Sequence, residues 1–277
     1  MSAQSAGGEG LVACARMYNL TPAIAAAWSE LFQHMSAASG VPLRVIDHPP
    51  PASLDALWRR TDLGCTFMCG WPFAMAGPQP LTVAAPVPRP PRYGGEAVYH
   101  SDLVVRRDSP YQCLEDTFGG RIGWTVENSH SGFNAARHHL LAFRRPERPS
   151  LYRESIGPLV TPRAAIRAVL DDVVDVAAID GYALDLLRRH APEETAELRV
   201  MATTAPAPVP PLVASPGEAN AAARLKEAFL TVHEELAAES LLDTLLLERF
   251  TGVNAAHYQL QIDWAADALE ACYPKPA

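Results

Sequence analysis

The sequence lacks the long apolar stretch that a membrane-spanning helix requires. Such a helix needs about 20 consecutive apolar residues, and no uninterrupted apolar run in the 277-residue chain approaches this length. The first residues, MSAQSAGGEGLVACARMYNL, also lack the basic segment followed by an apolar core that marks a secretory signal. The sequence as written predicts a soluble protein that does not span a membrane and is cytoplasmic, or exported if a leader was removed.

Positive charge is also scarce. The chain carries 23 Lys and Arg residues against 31 Asp and Glu residues, a formal net charge of -8 at pH 7. Proteins that bind nucleic acid concentrate basic side chains to displace the counterions of the phosphates. Here the arginines occur in scattered pairs such as Arg59-Arg60 and Arg106-Arg107. Nucleic acid is therefore not a predicted partner.

The usual patterns of metal sites, disulfide frameworks and common catalytic motifs are missing. Five cysteines are odd in number and widely spaced, and Cys65 and Cys69 lack the second pair that a zinc site requires. The adjacent His138 and His139 would point about 100° apart on a helix and could not easily share one ion. GxxxxGK[ST], HExxH and GxSxG do not occur. We predict no metal, no cofactor and no catalytic residue, and Cys69 is interpreted as a packing residue.

Short apolar runs alternate with helical patterns in the first part of the chain. Residues 10–18, 41–47 and 63–73 are typical of buried parallel strands. After the first of them, Thr21 and Pro22 form a cap and first helical residue, and the helix that they begin ends at Gly40. Residues 53–60 predict a shorter helix. This βαβαβ order predicts a parallel sheet.

A second α/β run follows the proline-rich residues 77–95. It alternates strands and helices up to about residue 215, and residues 219–250 then predict a long amphipathic helix. The terminal segment must pack back on the first lobe, so the chain would cross twice, near 96–105 and near 198–206. We predict lobe 1 at 1–97 and 204–277 and lobe 2 at 98–203, with a ligand cleft lined by strand-end loops.

Several motifs in the middle of the chain resemble one family. The stretch VYHSDLVVRRDSPYQCLEDTFGGRIGWTVENSHSGFNAARHHL, followed by AIRAVLDDVVDVAAIDGYALDLLRR, is similar to the phosphonate-binding branch of the type 2 periplasmic-binding-protein superfamily. The segment CGWPF is similar to the CGYP segment of many members. The likeness covers roughly residues 10 to 215. It implies an α/β fold of two lobes, each with a mixed, mostly parallel sheet flanked by helices, and two hinge crossings.

The resemblance also implies an anion-binding loop. In the family an STSG loop presents hydroxyl and amide groups to the ligand, and the matching residues here are Ser129, His130, Ser131 and Gly132. The first turn of a helix has unpaired N–H donors and a partial positive charge, which favours an anion independently of the family. The alternative is that Asn128 or Ser129 only caps the helix.

Four further positions match ligand-contacting positions of the family. Asp180 ends a strand and suits an amino group on the ligand, although it could simply cap the next helix. Tyr18 and Trp71 match aromatic positions of the cleft or belong to the core. Thr161 matches a hydroxyl of the family, whereas Pro162 replaces a histidine. His130 replaces a threonine, which could change ligand size or pH dependence.

Three functions are compatible with these residues. The first is a solute-binding protein that closes over a small oxyanion, such as a phosphonate or phosphate ester, and works with the permease of an ABC transporter. Such a protein would be periplasmic, and it would bind its ligand without turnover. The alternatives are a cytoplasmic enzyme on the same fold, with a pair such as His130 and Asp180 as acid and base, or a cytoplasmic sensor of an anionic metabolite.

Overall fold

The structure is a computed structural model that describes residues 10–277. The strands in chain order are β1 (Leu11–Cys14), β2 (Leu43–Val45), β3 (Leu63–Phe67), β4 (Leu81–Pro88), β5 (Val98–Tyr99), β6 (Ser101–Arg106), β7 (Arg121–Gly123), β8 (Glu154–Ile156), β9 (Val176–Asp180), β10 (Leu198–Thr203), β11 (Ala207–Pro208), β12 (Leu212–Ala214) and β13 (Leu247–Thr251). The helices are α1 (Pro22–Ser39), α2 (Leu54–Trp58), α3 (Gly70–Met75), α4 (Ala135–Leu140), α5 (Pro162–Leu170), α6 (Gly181–His190), α7 (Pro192–Thr195), α8 (Ala219–Thr231), α9 (Glu239–Thr244) and α10 (Gln259–Glu270). In the described part of the chain, no helix is both long and apolar enough to cross a membrane.

The described residues form two compact units by their internal contacts. Unit 1 holds the described residues up to Met68, with Gly77–Val87 and Pro210–Val253, and unit 2 holds Cys69–Ala76, Pro88–Val209 and Asn254–Ala277. Cys69–Ala76 packs on Asn254–Ala277 through the Phe73 and Tyr258 rings, which are 4.9 Å apart. Asn254–Ala277 in turn contacts the rest of unit 2, where Nδ2 of Asn134 donates to the Gln261 carbonyl at 2.8 Å. The predicted lobe bounds, 1–97 with 204–277 and 98–203, and the two crossings stay a prediction.

Unit 1 is built on a six-stranded mixed sheet in the order β13-β4-β12-β3-β1-β2. β1 pairs in parallel with β2 and β3, which confirms the predicted βαβαβ start, and β12 is antiparallel to both β3 and β4. The predicted cap of α1 is present, since the Thr21 hydroxyl accepts a hydrogen bond from the amide of Ile24. At the other end of α1, Gly40 adopts the left-handed conformation, with φ 63°, that commonly ends a helix.

Unit 2 is built on a five-stranded mixed sheet in the order β10-β6-β9-β7-β8. β7 is parallel to β8 and β9, whereas β6 is antiparallel to β9 and β10. The parallel strands β7 and β9 end at the same edge of this sheet, and the residues that follow them are therefore brought close together. The α/β fold of two domains with mixed sheets flanked by helices agrees with the fold class expected from the sequence.

The long helix predicted over residues 219–250 is wrong. α8 stops at Thr231, short turns follow, α9 spans only Glu239–Thr244, and Leu247–Thr251 is the edge strand β13. Leu246 has a φ of 53°, a left-handed conformation that no helix can continue through. The pairing of β13 with β4 therefore overrides a helical periodicity that the sequence carries up to residue 250.

Candidate functional site

The predicted anion loop lies between β7 and α4 in unit 2. Residues His130–Asn134 form a π turn, in which the amide of Asn134 donates to the Ser129 carbonyl at 3.0 Å. The Ser129 side chain accepts a hydrogen bond from the amide of Gly132, also at 3.0 Å. The capping alternative for Ser129 is therefore realised in the structure.

Gly132 is required at its position by a close contact with Thr125. A Cβ atom added to Gly132 would lie 2.0 Å from the Thr125 hydroxyl oxygen. In addition, the amide of Thr125 donates to the Gly132 carbonyl at 3.2 Å. The π turn is thus fixed against the chain that follows β7.

His130 is buried, with 1% of its surface exposed. Burial, and secondarily the charge of His138, lowers the pKa of His130 to about 3, so the ring is neutral at physiological pH. Its Nδ1 lies 3.3 Å from Nδ2 of Asn134, whose Oδ1 accepts a hydrogen bond from Arg137. Because Nδ2 can only donate, Nδ1 is the acceptor and Nε2 carries the proton. Among residues 10–277, Nε2 has no hydrogen-bond partner.

Ser131 connects the loop to the end of β9. Its hydroxyl donates to Oδ2 of Asp180 at 3.3 Å, while Oδ1 of Asp180 accepts the amide of Ala183 at 2.9 Å and caps α6. Both interpretations of Asp180 are therefore compatible with the structure, since one carboxylate oxygen caps and the other faces the loop. The side chains of Ser131 and Asp180 are 8% and 7% exposed.

Cys69 is an unexpected member of this cluster. Its sulfur accepts a hydrogen bond from the amide of His130 at 3.3 Å. The backbone amides of Trp71 and Gly70 also lower the pKa of its thiol. Burial outweighs these donors and raises the pKa of the Cys69 thiol to about 11. Two amide hydrogens of the loop, those of His130 and Gly132, thus have acceptors within the chain and are not open, in contrast to the expectation from the sequence.

Trp71 and Thr161 also belong to unit 2, although their roles differ. Trp71 is half-buried in α3, and the Arg137 guanidinium carbon lies 5.8 Å from the centre of its ring. The Thr161 hydroxyl accepts the amide of Ala164 and caps α5. The adjacent Val160 donates to the Thr125 carbonyl at 3.0 Å, so this segment borders the chain that contacts Gly132.

Tyr18 lies in unit 1. Its side chain is 1% exposed and makes an edge-to-face contact with Phe67, with ring centres 5.0 Å apart. This placement corresponds to the core alternative that the sequence left open. The structure thus gathers Trp71, Ser129 to Gly132 and Asp180 around one turn of unit 2, whereas Tyr18 is a packed residue of the other unit.

Sequence reasoning did not include four residues of this cluster in the site, namely Cys69, Tyr99, Asn134 and Arg137. Tyr99 is buried 6.1 Å from the His130 ring, and burial raises the pKa of its hydroxyl well above the usual value. Asn134 lies four residues after His130, a helical spacing that could have signalled their contact. No signal in the sequence placed Cys69 beside His130, because 60 residues separate them.

Comparison with known proteins identifies the class. Residues 18–258 match the family model described as ABC transporter, phosphonate, periplasmic substrate-binding protein. The chain therefore belongs to this family of substrate-binding proteins, which confirms the resemblance read from the sequence. No curated protein matches the chain significantly.

Solved structures show the same fold at low sequence identity. A binding-protein component of a phosphonate ABC transporter from Pseudomonas aeruginosa has a TM-score of 0.78 at 16% identity, over 95% of this chain and 88% of that chain. PhnD1 from Prochlorococcus marinus, solved in complex with methylphosphonate, has a TM-score of 0.74 at 17% identity, over 94% and 97%. The aliphatic sulphonate-binding protein SsuA from Escherichia coli has a TM-score of 0.55 at 16% identity, over 95% and 88%.

These findings decide between the functions that the sequence left open. The chain is a solute-binding protein of an ABC-transporter family, and the enzyme and sensor alternatives are not supported. The family is periplasmic, so the cytoplasmic location expected from the sequence as written is unsupported. The ligand-binding residues stay a prediction.

Proposed function

We propose that the protein binds a small phosphonate or a related oxyanion at the turn of unit 2 formed by Ser129 to Gly132, together with Trp71 and Asp180. We further propose that it works in the periplasm and passes this ligand to the permease of an ABC transporter. The observation that carries the proposal is the family match over residues 18–258, which includes every one of these residues.

The chemistry of the turn supports an oxyanion. The amide of His130 now donates to the Cys69 thiol, and sulfur is a weak acceptor. A phosphonate oxygen in its place would form a shorter, charge-assisted hydrogen bond of roughly twice the strength. The Nε2 proton of neutral His130 is a second donor that lacks an acceptor among the described residues.

The Asp180 carboxylate favours a ligand that also carries a hydrogen-bond donor. An ionised carboxylate only accepts hydrogen bonds, and it would repel a bare anion placed against it. Ser131, a residue of the turn, links it to this carboxylate by donating to Oδ2. A phosphonate with an amino group would place its negative end at the turn and its positive end near Asp180.

The test is ligand-induced stabilisation by methylphosphonate. At one hundred times its dissociation constant, a ligand that binds only the folded state adds about 2.7 kcal/mol to the free energy of unfolding. The variant Ser131→Ala should weaken binding roughly tenfold, because it removes the hydroxyl that links the turn to Asp180. The measurement is a thermal-shift titration of both proteins.

A matched control is Ser109→Ala. The Ser109 hydroxyl also lies in unit 2 but donates to the Arg106 carbonyl, outside the turn. This variant should bind methylphosphonate like the unchanged protein. A stabilisation by neutral metabolites, with none by methylphosphonate, aminomethylphosphonate, phosphite or phosphate esters, would overturn the proposal.

A further inference from the structure

Arg137 in α4 is a buried cation without a carboxylate partner among residues 10–277. Its side chain is 3% exposed, and its guanidinium donates to the Pro274 carbonyl at 3.0 Å and to Oδ1 of Asn134 at 2.9 Å. The guanidinium also lies over the rings of Phe133 and Trp71, at 5.1 and 5.8 Å from their centres. Its Nε is buried without a hydrogen-bond partner.

Such an environment is costly for a charge. Buried charges are normally paired, because taking an ion out of water costs several kcal/mol per ion even after relaxation. Two neutral acceptors and two aromatic faces compensate only part of this cost. A residue kept only for packing would be at least as stable if it were apolar and of similar volume.

Arg137 is connected to the proposed anion site by two sets of contacts. The first is direct, since Trp71 is one of the proposed ligand contacts. The second passes through Asn134: its Oδ1 accepts from Arg137, and its Nδ2, which also donates to the Gln261 carbonyl at 2.8 Å, faces Nδ1 of His130. This orientation leaves the proton of His130 on Nε2, the nitrogen that has no partner within the described chain.

We propose that Arg137 is a positioning residue for the bound anion: its charge compensates that of the ligand, and its hydrogen bond to Asn134 holds His130 in the tautomer that donates from Nε2. The inference rests on the proposed function, because it requires an anion near the turn. It adds a cation to a site whose other members are neutral or acidic.

The test compares two tetrahedral anions of nearly equal shape. In mildly alkaline buffer methylphosphonate is a dianion, whereas methanesulfonate is a monoanion. Arg137→Met should weaken methylphosphonate binding by on the order of a hundredfold, because a Coulomb interaction with one unit charge across ~10 Å at an effective dielectric constant of ~20 is worth roughly tenfold, and a dianion doubles its energy. Methanesulfonate should lose less, and the ligand-free protein should melt no lower than the unchanged protein. Calorimetric titration and a melting curve give these quantities.

Two further variants sharpen the test. Arg144→Met is the matched control, because Arg144, like Arg137, donates to two neutral oxygens and lies over an aromatic ring, here two backbone carbonyls and the ring of Tyr273, but is not part of the cluster. It should leave both affinities unchanged. If Arg137→Met does not fold, Arg137→Gln removes the charge and keeps a donor for Asn134, and it should show the same selective loss for methylphosphonate.

Each outcome decides one question. Equal affinities of the unchanged protein and the Arg137 variants would overturn this inference while leaving the proposed function intact. An equal loss for both anions, with a lower melting temperature without ligand, would show a merely structural arginine and also overturn it. If the unchanged protein bound neither these anions nor the other oxyanions of the thermal-shift test, the proposed function would fail, and this inference with it.

Discussion

At the residue scale, His130 behaves unlike a free histidine. It is enclosed by Cys69, Asn134 and the stacked ring of Trp264, which lies 5.3 Å away. A histidine in solution titrates near neutrality and can act as a pH switch. Burial removes that possibility here, so the His130 ring stays neutral near physiological pH and binding of the proposed ligand should not follow its titration.

The lowered pKa of His130 predicts acid sensitivity of the fold. The unfolded state takes up this proton near pH 6.5, whereas the folded state takes it up only near pH 3. Between these values the unfolded state binds more protons, so stability falls as the pH falls, by up to about 1.4 kcal/mol per pH unit. His130→Asn should therefore show a shallower loss of stability than the unchanged protein between pH 6.5 and 4, measured by denaturant unfolding.

The control for this prediction is His233→Asn. His233 is exposed in unit 1, and its replacement should leave the slope of stability against pH unchanged. If His130→Asn and the unchanged protein lost stability with the same slope, His130 would be titrating normally in the folded state.

At the element scale, the π turn His130–Asn134 determines which groups face one another. Its wider winding lets the Ser129 carbonyl accept from Asn134 while the Ser129 hydroxyl accepts from Gly132. Such turns are rare and frequently occur at functional sites. The sequence predicted a helix here, correctly, but a 3.6-residue periodicity does not reveal one wider turn.

The turn predicts a large effect of Gly132→Ala. The added methyl group would overlap Thr125, and neither residue can move freely because their backbones are hydrogen-bonded. We expect a loss of stability of about 1–3 kcal/mol, typical of overpacking, together with weaker binding of methylphosphonate. Denaturant unfolding measures the first effect and calorimetry the second.

Gly217→Ala is the matched control, since a Cβ atom at Gly217 would have no neighbour within 4 Å. It should be close to neutral in both measurements. A fully stable Gly132→Ala protein would mean that the contact with Thr125 relaxes easily, and the close fit of the turn would then not matter for stability.

At the scale of the whole molecule, the family match indicates a protein that binds small solutes, and the net charge is consistent with this. The net charge of -8 argues against nucleic acid as a partner. In an acidic protein, the proposed anion site would depend on local donors, such as the His130 ring and the Arg137 guanidinium.

A binding protein should leave its ligand chemically intact. The pair His130 and Asp180, considered from the sequence as acid and base, is poorly suited to acid–base catalysis near neutral pH, because burial lowers the pKa of His130 to about 3 and makes it a weak base. We expect methylphosphonate to be recovered unchanged after prolonged incubation, as followed by phosphorus NMR. Release of inorganic phosphate above a protein-free control would revive the enzyme alternative.

The sequence by itself determined the elements that depend on local rules. Thr21 and Gly40 bound α1, the apolar runs form β1 and β3, and the family motif carries the class of function, since caps, periodicity and motifs are properties of neighbouring residues. It also offered the cap at Ser129 as the alternative to an anion loop and placed Asp180 at the end of a strand, and the structure has both the cap and that position.

Only the tertiary structure decided which distant residues meet. β13 lies where the sequence predicted the end of a helix. It forms because it pairs with β4, a strand that is distant in the sequence, and no local pattern reveals that pairing. Cys69 reached the amide of His130, and Arg137 was buried between Trp71 and Phe133 without a carboxylate partner among the described residues. Burial and long-range packing, which set the protonation state of His130 and the cost of the Arg137 charge, are absent from any local pattern and arise only when the chain folds.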